Sequence, residues 1–479
     1  MKLGDVDDAR AHAAFEQIRV DNEVSVASSP AAVAEATVRI AGGPLEAHLI
    51  ASTRADRRDL ALLSLDPTGS RDLDQSLRLE RQGSGYLFHY AIADVAAWVE
   101  PGGAIDADTR LRGQTIYCPD VRAPLHPSVL SEGAASQLQD QDAPVVLWRI
   151  ALDQRGEITD IGVERATARN HRMMSYTDAQ ALLDAGSDDD QLRLLEEIGA
   201  LRVSLEADRG GVSLNLPSQT VDSSGGTTAL AYDAPAPIEG WNAQLSLCCG
   251  IAAATLMLDA RVGILRTMPA PDPRLIDELR VRSVALHVPW PTDLSYGGWV
   301  RSLDPTTSAG AALLGAAART LRGATYTSFD GAPPDPATHG AIAAPYAHVT
   351  APLRRLVDRF AIECALAAAN GARPPAWALE ALPLLPDIMA TTGRRASSVD
   401  HACIDVMEAL VMEGSVGHTF GGLLVSVNKD GRATVQLRDP AVIAQVQVGA
   451  DHQPGDEVTV RADAVNVEGR TVTMSIVGR

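Results

Sequence analysis

The sequence predicts an α+β protein in which a mixed sheet is surrounded by helices, with a short helical N-terminal module and a small C-terminal β-barrel. Three observations predict this class. The pattern is mixed from 53 to 180 and includes strand-like runs, helical patterns prevail from 238 to 410, and short strand-like runs separated by turns fill the C-terminal part. We therefore divide the chain into 1–52, 53–412 and 413–479.

The first 52 residues carry two helical patterns. Val6 to Arg19 has apolar residues at helical spacing, and Ser29 followed by Pro30 is a favourable start for a second helix that ends near Gly42. Two short helices joined by a turn are typical of a helix-turn-helix-like module that reads DNA. They are equally typical of a structural collar for the next domain, and both interpretations stay open.

The central part, 53–412, changes from strand patterns to helical patterns along the chain. Tyr86 to Val99 is typical of a buried strand running into a turn. Val145 to Leu152 and Ile158 to Arg165, separated by Asp153-Gln154-Arg155-Gly156, predict a hairpin. From 238 onwards, Pro-rich breaks separate a series of helical patterns, and no internal repeat indicates a solenoid.

Residues 413–479 predict an OB-fold barrel, because turns separate short strand-like runs at regular intervals. This fold commonly holds single-stranded nucleic acid in a charged groove with exposed aromatic side chains. Phe420 is the one aromatic residue of this segment. Binding would therefore depend on basic side chains, and the candidates are Lys429, Arg432, Arg438, Arg461 and Arg470.

Composition indicates a soluble protein of the cytoplasm. The chain has 479 residues, 46% of them hydrophobic, which is enough for more than one domain. Five scattered cysteines without a CxxC pair argue against disulfides or zinc, and no apolar run approaches membrane-spanning length. The net charge of −20 is a weak argument against nucleic acid, since a basic channel can lie inside an acidic exterior.

The stretch LDPTGSRDLDQSL (65–77) concentrates the chemistry, because it carries Asp66, Asp72 and Asp74 within nine residues. At about 4 Å and an effective dielectric of roughly 20, each pair of carboxylates repels by on the order of 4 kcal/mol. Protons or a cation must relieve such a cluster, and oxygen ligands suit Mg²⁺ or Mn²⁺. A solvated acidic loop is the alternative, since Asp is common in turns.

Several segments, in this order along the chain, resemble the RNB family of exoribonucleases. They are LDPTGSRDLDQSL (65–77), YAIADVAAWVEPGGAID (90–106), RGQTIYCPDVRAPLHPSVLSEGAASQL (112–138), MMSYTDAQ (173–180), RGGVSLNLP (209–217) and YAHVTAPLRRLVDR (346–359). The resemblance implies an RNB catalytic domain followed by an RNA-binding barrel of the ribosomal-protein-S-one type. It also implies that a monomer hydrolyses single-stranded RNA from its 3′ end to nucleoside 5′-monophosphates.

The family's acidic motif matches Asp66, Asp72 and Asp74, which would hold Mg²⁺ (or Mn²⁺) against the scissile phosphate. Gln75 stands where the family usually has a fourth carboxylate, and its amide oxygen can ligate a cation without adding charge. Arg354, in TAPLRR, matches the family's catalytic arginine, which stabilises charge developing in the transition state.

The resemblance implies RNA contacts for four further residues. Tyr176 matches the aromatic residue that stacks on the terminal nucleotide and limits the length of the final product. Arg355 and His348 lie beside the arginine motif, and Asp400 stands where the family usually has Glu-Arg near the RNA 3′ end. From the residues alone, the ordinary interpretations are a solvated arginine pair, a core tyrosine and a partly buried histidine.

Two departures from the family's pattern bear on function. Residues 1–52 are too short for the cold-shock barrels of the larger bacterial members, so we expect a bacterial member without these domains. The Asp-x-Asp-Gln form of the acidic motif leaves a rival function open. In that alternative, the protein is a catalytically silent RNA-binding protein that uses the same channel.

Overall fold

The computed structural model describes residues 6–49, 53–214, 218–224, 227–233, 235–305, 307–428, 430–449 and 451–478. The strands are β1 (Val6–Asp7), β2 (Ala55–Asp66), β3 (Gln75–Gln82), β4 (Gly85–Ala93), β5 (Ile116–Tyr117), β6 (Arg122–Ala123), β7 (Asp142–Leu152), β8 (Ile158–Ser175), β9 (Ser218–Ser224), β10 (Thr227–Asp233), β11 (Val262–Thr267), β12 (Thr325–Asp330), β13 (Thr338–His339), β14 (Ala344–Pro345), β15 (Thr419–Val427), β16 (Arg432–Leu437), β17 (Ile443–Gln447), β18 (Glu457–Asn466) and β19 (Thr471–Gly478). The helices are α1 (Asp8–Asp21), α2 (Pro30–Gly42), α3 (Ala104–Arg112), α4 (Tyr176–Asp184), α5 (Asp190–Asp208), α6 (Pro237–Ala260), α7 (Pro273–Ala285), α8 (Tyr296–Ser302), α9 (Ser308–Ala318), α10 (Leu356–Ala369), α11 (Ala376–Ala381) and α12 (Leu385–Met412).

The predicted mixed sheet closes into a barrel in the order β2-β3-β4-β7-β8. β2 and β8 pair in parallel, and the other neighbouring strands are antiparallel. Alternate residues point inward, and Phe88, Tyr90 and Trp148 are fully buried in the resulting core. The parallel register places Asp66, at the end of β2, opposite Ser175, at the end of β8. The barrel therefore brings the acidic stretch beside Tyr176, the next residue of the chain.

Helix α6 is the central helix of the fold and packs against α5 and α10. Among the described residues it is the one helix long and apolar enough to cross a bilayer, but half of its most apolar window is buried inside the protein. Cys248, Cys249 and Met257 of this helix are fully buried in the main core. Because α6 fills the main core, it is apolar on all sides.

The two N-terminal helices form as predicted, with Asp7 and Ser29 as their N-caps. They pack on different surfaces, α1 against α12 and α2 against α3. Phe15 and Ile18 of α1 are buried in a cluster shared with α12 and the C-terminal barrel. This packing favours the structural-collar interpretation over a helix-turn-helix-like reader of DNA.

The C-terminal segment is a closed five-stranded barrel in the order β15-β16-β17-β19-β18, in agreement with the predicted OB-like barrel. Phe420 is 8% exposed and belongs to the core, so it offers no stacking surface. The barrel's arginines are ion-paired. The pairs are Arg432–Asp430, Arg438–Glu457, Arg461–Asp463 and Arg470–Asp21. Lys429 lies outside the described residues.

A buried ion network ties the first barrel to α10. The Arg165 side chain is 0% exposed and contacts Asp94 and Glu363, and Arg54 donates to Asp94 at 2.7 Å. Burial is the main influence on the pKa of Asp94, but Arg165 and Arg54 outweigh it and hold that pKa below its ordinary value. Without Arg165, the buried Glu363 would lose the cation that contacts it, and Asp94 would keep Arg54 alone.

Arg165→Met is expected to lower the free energy of unfolding by about 3–5 kcal/mol, because it leaves the buried Glu363 without its contacting cation and Asp94 with Arg54 alone. Urea denaturation measures the effect. Arg149→Met is the matched control. Arg149 lies on the same barrel and pairs with Asp160, but its side chain is 48% exposed. That change is expected to cost at most about 1 kcal/mol. Equal costs for the two variants would contradict a structural role for the network.

Candidate active site

The acidic stretch forms a folded-back loop between β2 and β3. Ser70 N donates to Pro67 O at 3.1 Å, and Gly69 adopts a φ of +82°, a conformation that favours glycine. Leu73 is fully buried, and its N–H donates to Ser136 Oγ at 2.9 Å. The buried leucine anchors the loop, so that Asp72 and Asp74 are held on either side of it.

Asp74 is the most buried of the three carboxylates, with its side chain 4% exposed. Its Oδ1 accepts a hydrogen bond from Leu353 N at 2.7 Å, and its Oδ2 lies 3.3 Å from Arg354 Nε. Burial raises the pKa of Asp74 to about 8, although Arg354 and the Leu353 amide act in the opposite direction. At neutral pH the Asp74 carboxyl therefore tends to hold a proton unless another cation takes its place.

Asp66 shares this environment. Burial raises its pKa to about 7, Arg354 opposes the shift, and Asp72 adds to it. The Oδ2 atom of Asp66 is buried, and no described residue donates a hydrogen bond to it. A buried carboxylate oxygen without a donor is costly, and a hard cation would satisfy it.

Asp72 lies near enough to act on the pKa values of Asp66 and Asp74, but its own carboxylate is paired with an arginine. Its Oδ1 accepts from Arg122 Nη1 at 2.7 Å, and Arg122 also contacts Glu132 at 3.1 Å. Among the residues that the structure describes, no group of three or more His, Cys, Asp or Glu side chains is arranged to hold a metal ion. The geometry therefore provides two carboxylates, Asp66 and Asp74, whose chemistry suits a cation, and a third that is neutralised by arginine.

Gln75 begins β3, and its Oε1 accepts a hydrogen bond from the hydroxyl of Tyr90. Tyr90 is fully buried, so the glutamine side chain is fixed by the barrel core. An amide oxygen has two lone pairs, and one remains for a further donor or a cation.

A cavity of about 860 Å³ opens beside these groups, and its lining includes Gln75, Tyr176 and Arg354. The Arg354 side chain is 48% exposed, so its guanidinium lies between Asp74 and the cavity. Tyr176 is the first residue of α4, and its hydroxyl accepts from Asn242 Nδ2 at 2.9 Å. Burial and the nearby Asp66 raise the pKa of Tyr176 to about 12, so its hydroxyl is protonated at neutral pH.

The other predicted RNA contacts have different surroundings. Arg355 donates to both carboxylate oxygens of Asp358, at 2.6 and 3.1 Å, at the start of α10. His348 Nδ1 lies 2.7 Å from the hydroxyl of Tyr326, and burial holds the pKa of this histidine well below its ordinary value. Asp400 is exposed on α12 and lines a different cleft, beside strands of the C-terminal barrel. The residues that line the cavity beside Arg354 do not include any of these three side chains.

Sequence reasoning missed Arg122 and Asn242. Arg122 lies in segment 112–138, which resembles the RNB family. No residue spacing, however, indicated that Arg122 would pair with Asp72. Asn242 lies 66 residues beyond Tyr176 on α6, and only the packing of α6 against α4 brings the two together.

Comparison with known proteins identifies the family of the chain. The RNB-domain signature matches residues 54–363, and the signature of the RNase II-type exonuclease C-terminal S1 domain matches residues 418–477. The chain belongs to the RNB family. Ribonuclease R of Escherichia coli (strain K12) is 25% identical over 479 residues, a region that covers 88% of this chain and 57% of that protein. The chain thus spans little more than half the length of this relative.

Solved structures show the same fold in other members of the family. Mycoplasma genitalium RNase R in complex with ribose methylated single-stranded RNA matches with a TM-score of 0.84 and 18% identity, covering 97% of this chain and 77% of that chain. Yeast Ssd1, a pseudonuclease, matches with a TM-score of 0.72 and 14% identity, covering 95% of this chain and 58% of that chain. The fold therefore occurs in a nuclease and in a pseudonuclease. Whether a protein of this fold is catalytic depends on the side chains of its site.

Proposed function

We propose that this RNB-family protein is a metal-dependent exoribonuclease that hydrolyses single-stranded RNA from the 3′ end and releases nucleoside 5′-monophosphates. The observation that carries the proposal is the juxtaposition of Asp66 and Asp74, both with raised pKa values, with Arg354 at the wall of a cavity. Perturbed carboxyls beside a half-exposed arginine are typical of a catalytic centre for phosphate chemistry. The likeness to ribonuclease R supports the substrate class.

Mg²⁺, with Mn²⁺ as an alternative, is the cofactor that the donor atoms suit. Asp66 and Asp74 would hold it, with the amide oxygen of Gln75 and the carboxylate of Asp72 as further donors. When bound, such an ion polarises the scissile phosphate and lowers the pKa of a bound water. The unpartnered oxygen of Asp66 supports this assignment.

The chain's own side chains position the substrate. Arg354 presents its guanidinium to a phosphate oxygen and stabilises negative charge there. Tyr176 presents its ring to the terminal base, while Asn242 fixes the hydroxyl. Stacking tolerates every base, which suits a degradative enzyme. Arg355, His348 and Asp400 stay weaker candidates for RNA contacts, because the first two are engaged with protein groups and the third lines another cleft.

The rival function is a catalytically silent RNA-binding protein that uses the same channel. The ion pair between Asp72 and Arg122 and the likeness to Ssd1 favour it. A uniformly labelled single-stranded RNA of about 20 nucleotides, incubated in parallel with Mg²⁺ and with EDTA, separates the two. Release of mononucleotides and stepwise shortening in Mg²⁺ alone supports the enzyme, and tight binding without products supports the rival.

Tyr176→Ala is expected to leave longer final products than the wild type and to weaken RNA binding by about 1–3 kcal/mol, because the terminal base loses its stacking partner. A denaturing gel of the end products and fluorescence anisotropy with EDTA measure the two effects. Tyr176→Phe is the matched control, since it keeps the ring and removes only the contact with Asn242. Identical end products for Tyr176→Ala and the wild type would refute the stacking role.

We further propose that the protein acts as a monomer in the cytoplasm. All five cysteines are free, which supports a reducing compartment.

A further inference from the structure

Three arginines converge on a cleft between the helical segment and the C-terminal barrel. Arg282 lies on α7, and Arg319 and Arg322 follow the end of α9. Together with Val427 and Asn428 of the barrel they line a cleft of about 320 Å³. This cleft is separate from the cavity beside Arg354, because the two share no lining residue.

The three guanidinium groups are unneutralised. In the part of the chain that the structure describes, none of them forms an ion pair or a side-chain hydrogen bond, and Arg282 Nη1 is buried without a partner. Burial, followed by the neighbouring charge of Arg319, lowers the pKa of Arg282. Glu278 is the one acidic residue among those that line the cleft. Three cations facing one carboxylate leave an excess of positive charge, on a chain whose net charge is −20.

The contrast with the barrel is informative. Each of the barrel arginines expected to bind RNA is paired with an acid, as in Arg438–Glu457 and Arg461–Asp463. Arg282, Arg319 and Arg322 are instead available to an external anion. A guanidinium fork matches the oxygens of a phosphate, so three of them in one cleft suit a ligand with several phosphates.

The position of the cleft indicates the kind of polyanion. Asn428 lies in the connection between β15 and β16, the first two strands of the barrel. In OB-folds this connection is one of the loops that bind oligonucleotides. The arginine cleft therefore continues a surface that such a barrel would offer to a nucleic acid.

We propose that Arg282, Arg319 and Arg322 bind backbone phosphates of the RNA substrate at a distance from its 3′ end, in a composite site formed with Val427 and Asn428 of the barrel. This inference rests on the proposed RNA substrate and adds a second contact region to it. A long RNA would occupy both the cleft and the cavity beside Arg354, whereas a very short one would fill the cavity alone.

The test compares fluorescence anisotropy of 4-nucleotide and 20-nucleotide single-stranded RNAs over a salt series, with EDTA to prevent hydrolysis. Arg319→Ala/Arg322→Ala is expected to bind the 20-nucleotide RNA roughly tenfold more weakly. The slope of log K against log salt should fall by about 1.4, since each phosphate contact on a single strand contributes about 0.7. Binding of the 4-nucleotide RNA should be unchanged. Arg319→Lys/Arg322→Lys should restore most of the salt slope.

Two further variants keep the test decisive. Arg274 lies on the same helix α7, is exposed and is paired with Asp272. Arg274→Ala is therefore expected to leave the affinities for the 4-nucleotide and the 20-nucleotide RNA unchanged. Glu278→Gln removes the acid of the cleft and should tighten binding of the long RNA about threefold, a gain that a misfolded protein cannot give.

Unchanged binding of the 20-nucleotide RNA by the double variant would overturn the inference, and so would an equal loss for the 4-nucleotide RNA. An anion-binding cleft used by an acidic protein partner would give the first of these results. The outcome is independent of the nuclease assay, because RNA binding at the cleft can be measured in EDTA even if the protein releases no nucleotides.

Discussion

Asp74→Asn is expected to reduce nucleotide release by roughly a thousandfold and, at the same time, to make the metal-free protein more stable at pH 8. The loss of activity follows because asparagine brings no charge to the group that faces Arg354 at 3.3 Å. The gain in stability follows because the buried carboxyl has a pKa of about 8. Its ionisation in the native state is therefore unfavourable, and asparagine can still accept the hydrogen bond from Leu353 N.

The sign of the pH dependence is fixed by linkage. A carboxyl whose pKa rises on folding binds more protons in the native state, so stability is fully retained below its ordinary pKa and falls as pH rises towards 8. The loss is about 1.4 kcal/mol for each pH unit inside that window. Thermal melts in EDTA from pH 5 to pH 8 should show a fall for the wild type and a smaller one for Asp74→Asn, because Asp66 still contributes with a pKa of about 7.

Asp72→Asn is the matched control for this prediction. Its carboxylate accepts from Arg122 at 2.7 Å, so the change should lower stability in EDTA instead of raising it. A lower melting temperature of Asp74→Asn than of the wild type at pH 8 would show that the buried charge is already compensated. Activity of Asp74→Asn within tenfold of the wild type would remove Asp74 from the proposed chemistry.

Much of the site follows from local sequence. The carboxylates come from one short loop, and the parallel register of β2 and β8 brings Asp66 to the start of α4, where Tyr176 lies. Arg354 lies immediately before the N-cap of α10, so the rigid start of a helix presents it to Asp74. The resemblance to the family predicted these residues together because short motifs at the ends of regular elements encode them.

The pairing of charges does not follow from the sequence in the same way. The sequence groups Asp72 with Asp66 and Asp74, but it does not indicate that Asp72 pairs with Arg122 in β6, fifty residues along the chain. The barrel's arginines are paired with acids such as Asp430 and Glu457. Among the described residues, Arg282 on α7 and Arg319 and Arg322 after α9 have no such partner. Which acid each arginine meets is a property of tertiary packing, and composition gives only the sum of the charges.

The aromatic residues show the same limit. Phe420 was the one candidate for stacking in the barrel, and its burial at 8% exposure assigns it to the core. Successive side chains of β15 point alternately into and out of the closed barrel, and Phe420 is one of those that point inward. Tyr176 differs because it begins a helix at the edge of the first barrel, where its ring lines a cavity.

Arg354→Ala is expected to lower kcat by about a thousandfold, because the transition state loses a positive charge placed beside its phosphate oxygens. It should also change the pH dependence. Arg354 holds down the pKa of both Asp66 and Asp74, so its removal raises both pKa values. The carboxylate forms then require a higher pH, and the acidic limb of the pH–rate profile at constant Mg²⁺ is expected to move upward.

Arg354→Lys separates the two effects of the arginine. Lysine retains the charge that acts on Asp66 and Asp74, so the acidic limb should stay near its wild-type position, while kcat remains low because an ammonium lacks the planar fork. An acidic limb that stays in place in Arg354→Ala would show that the guanidinium does not govern the two carboxyls. A limb that moves with the alanine variant and returns with lysine would establish that Arg354 acts on the substrate through geometry and on Asp66 and Asp74 through charge.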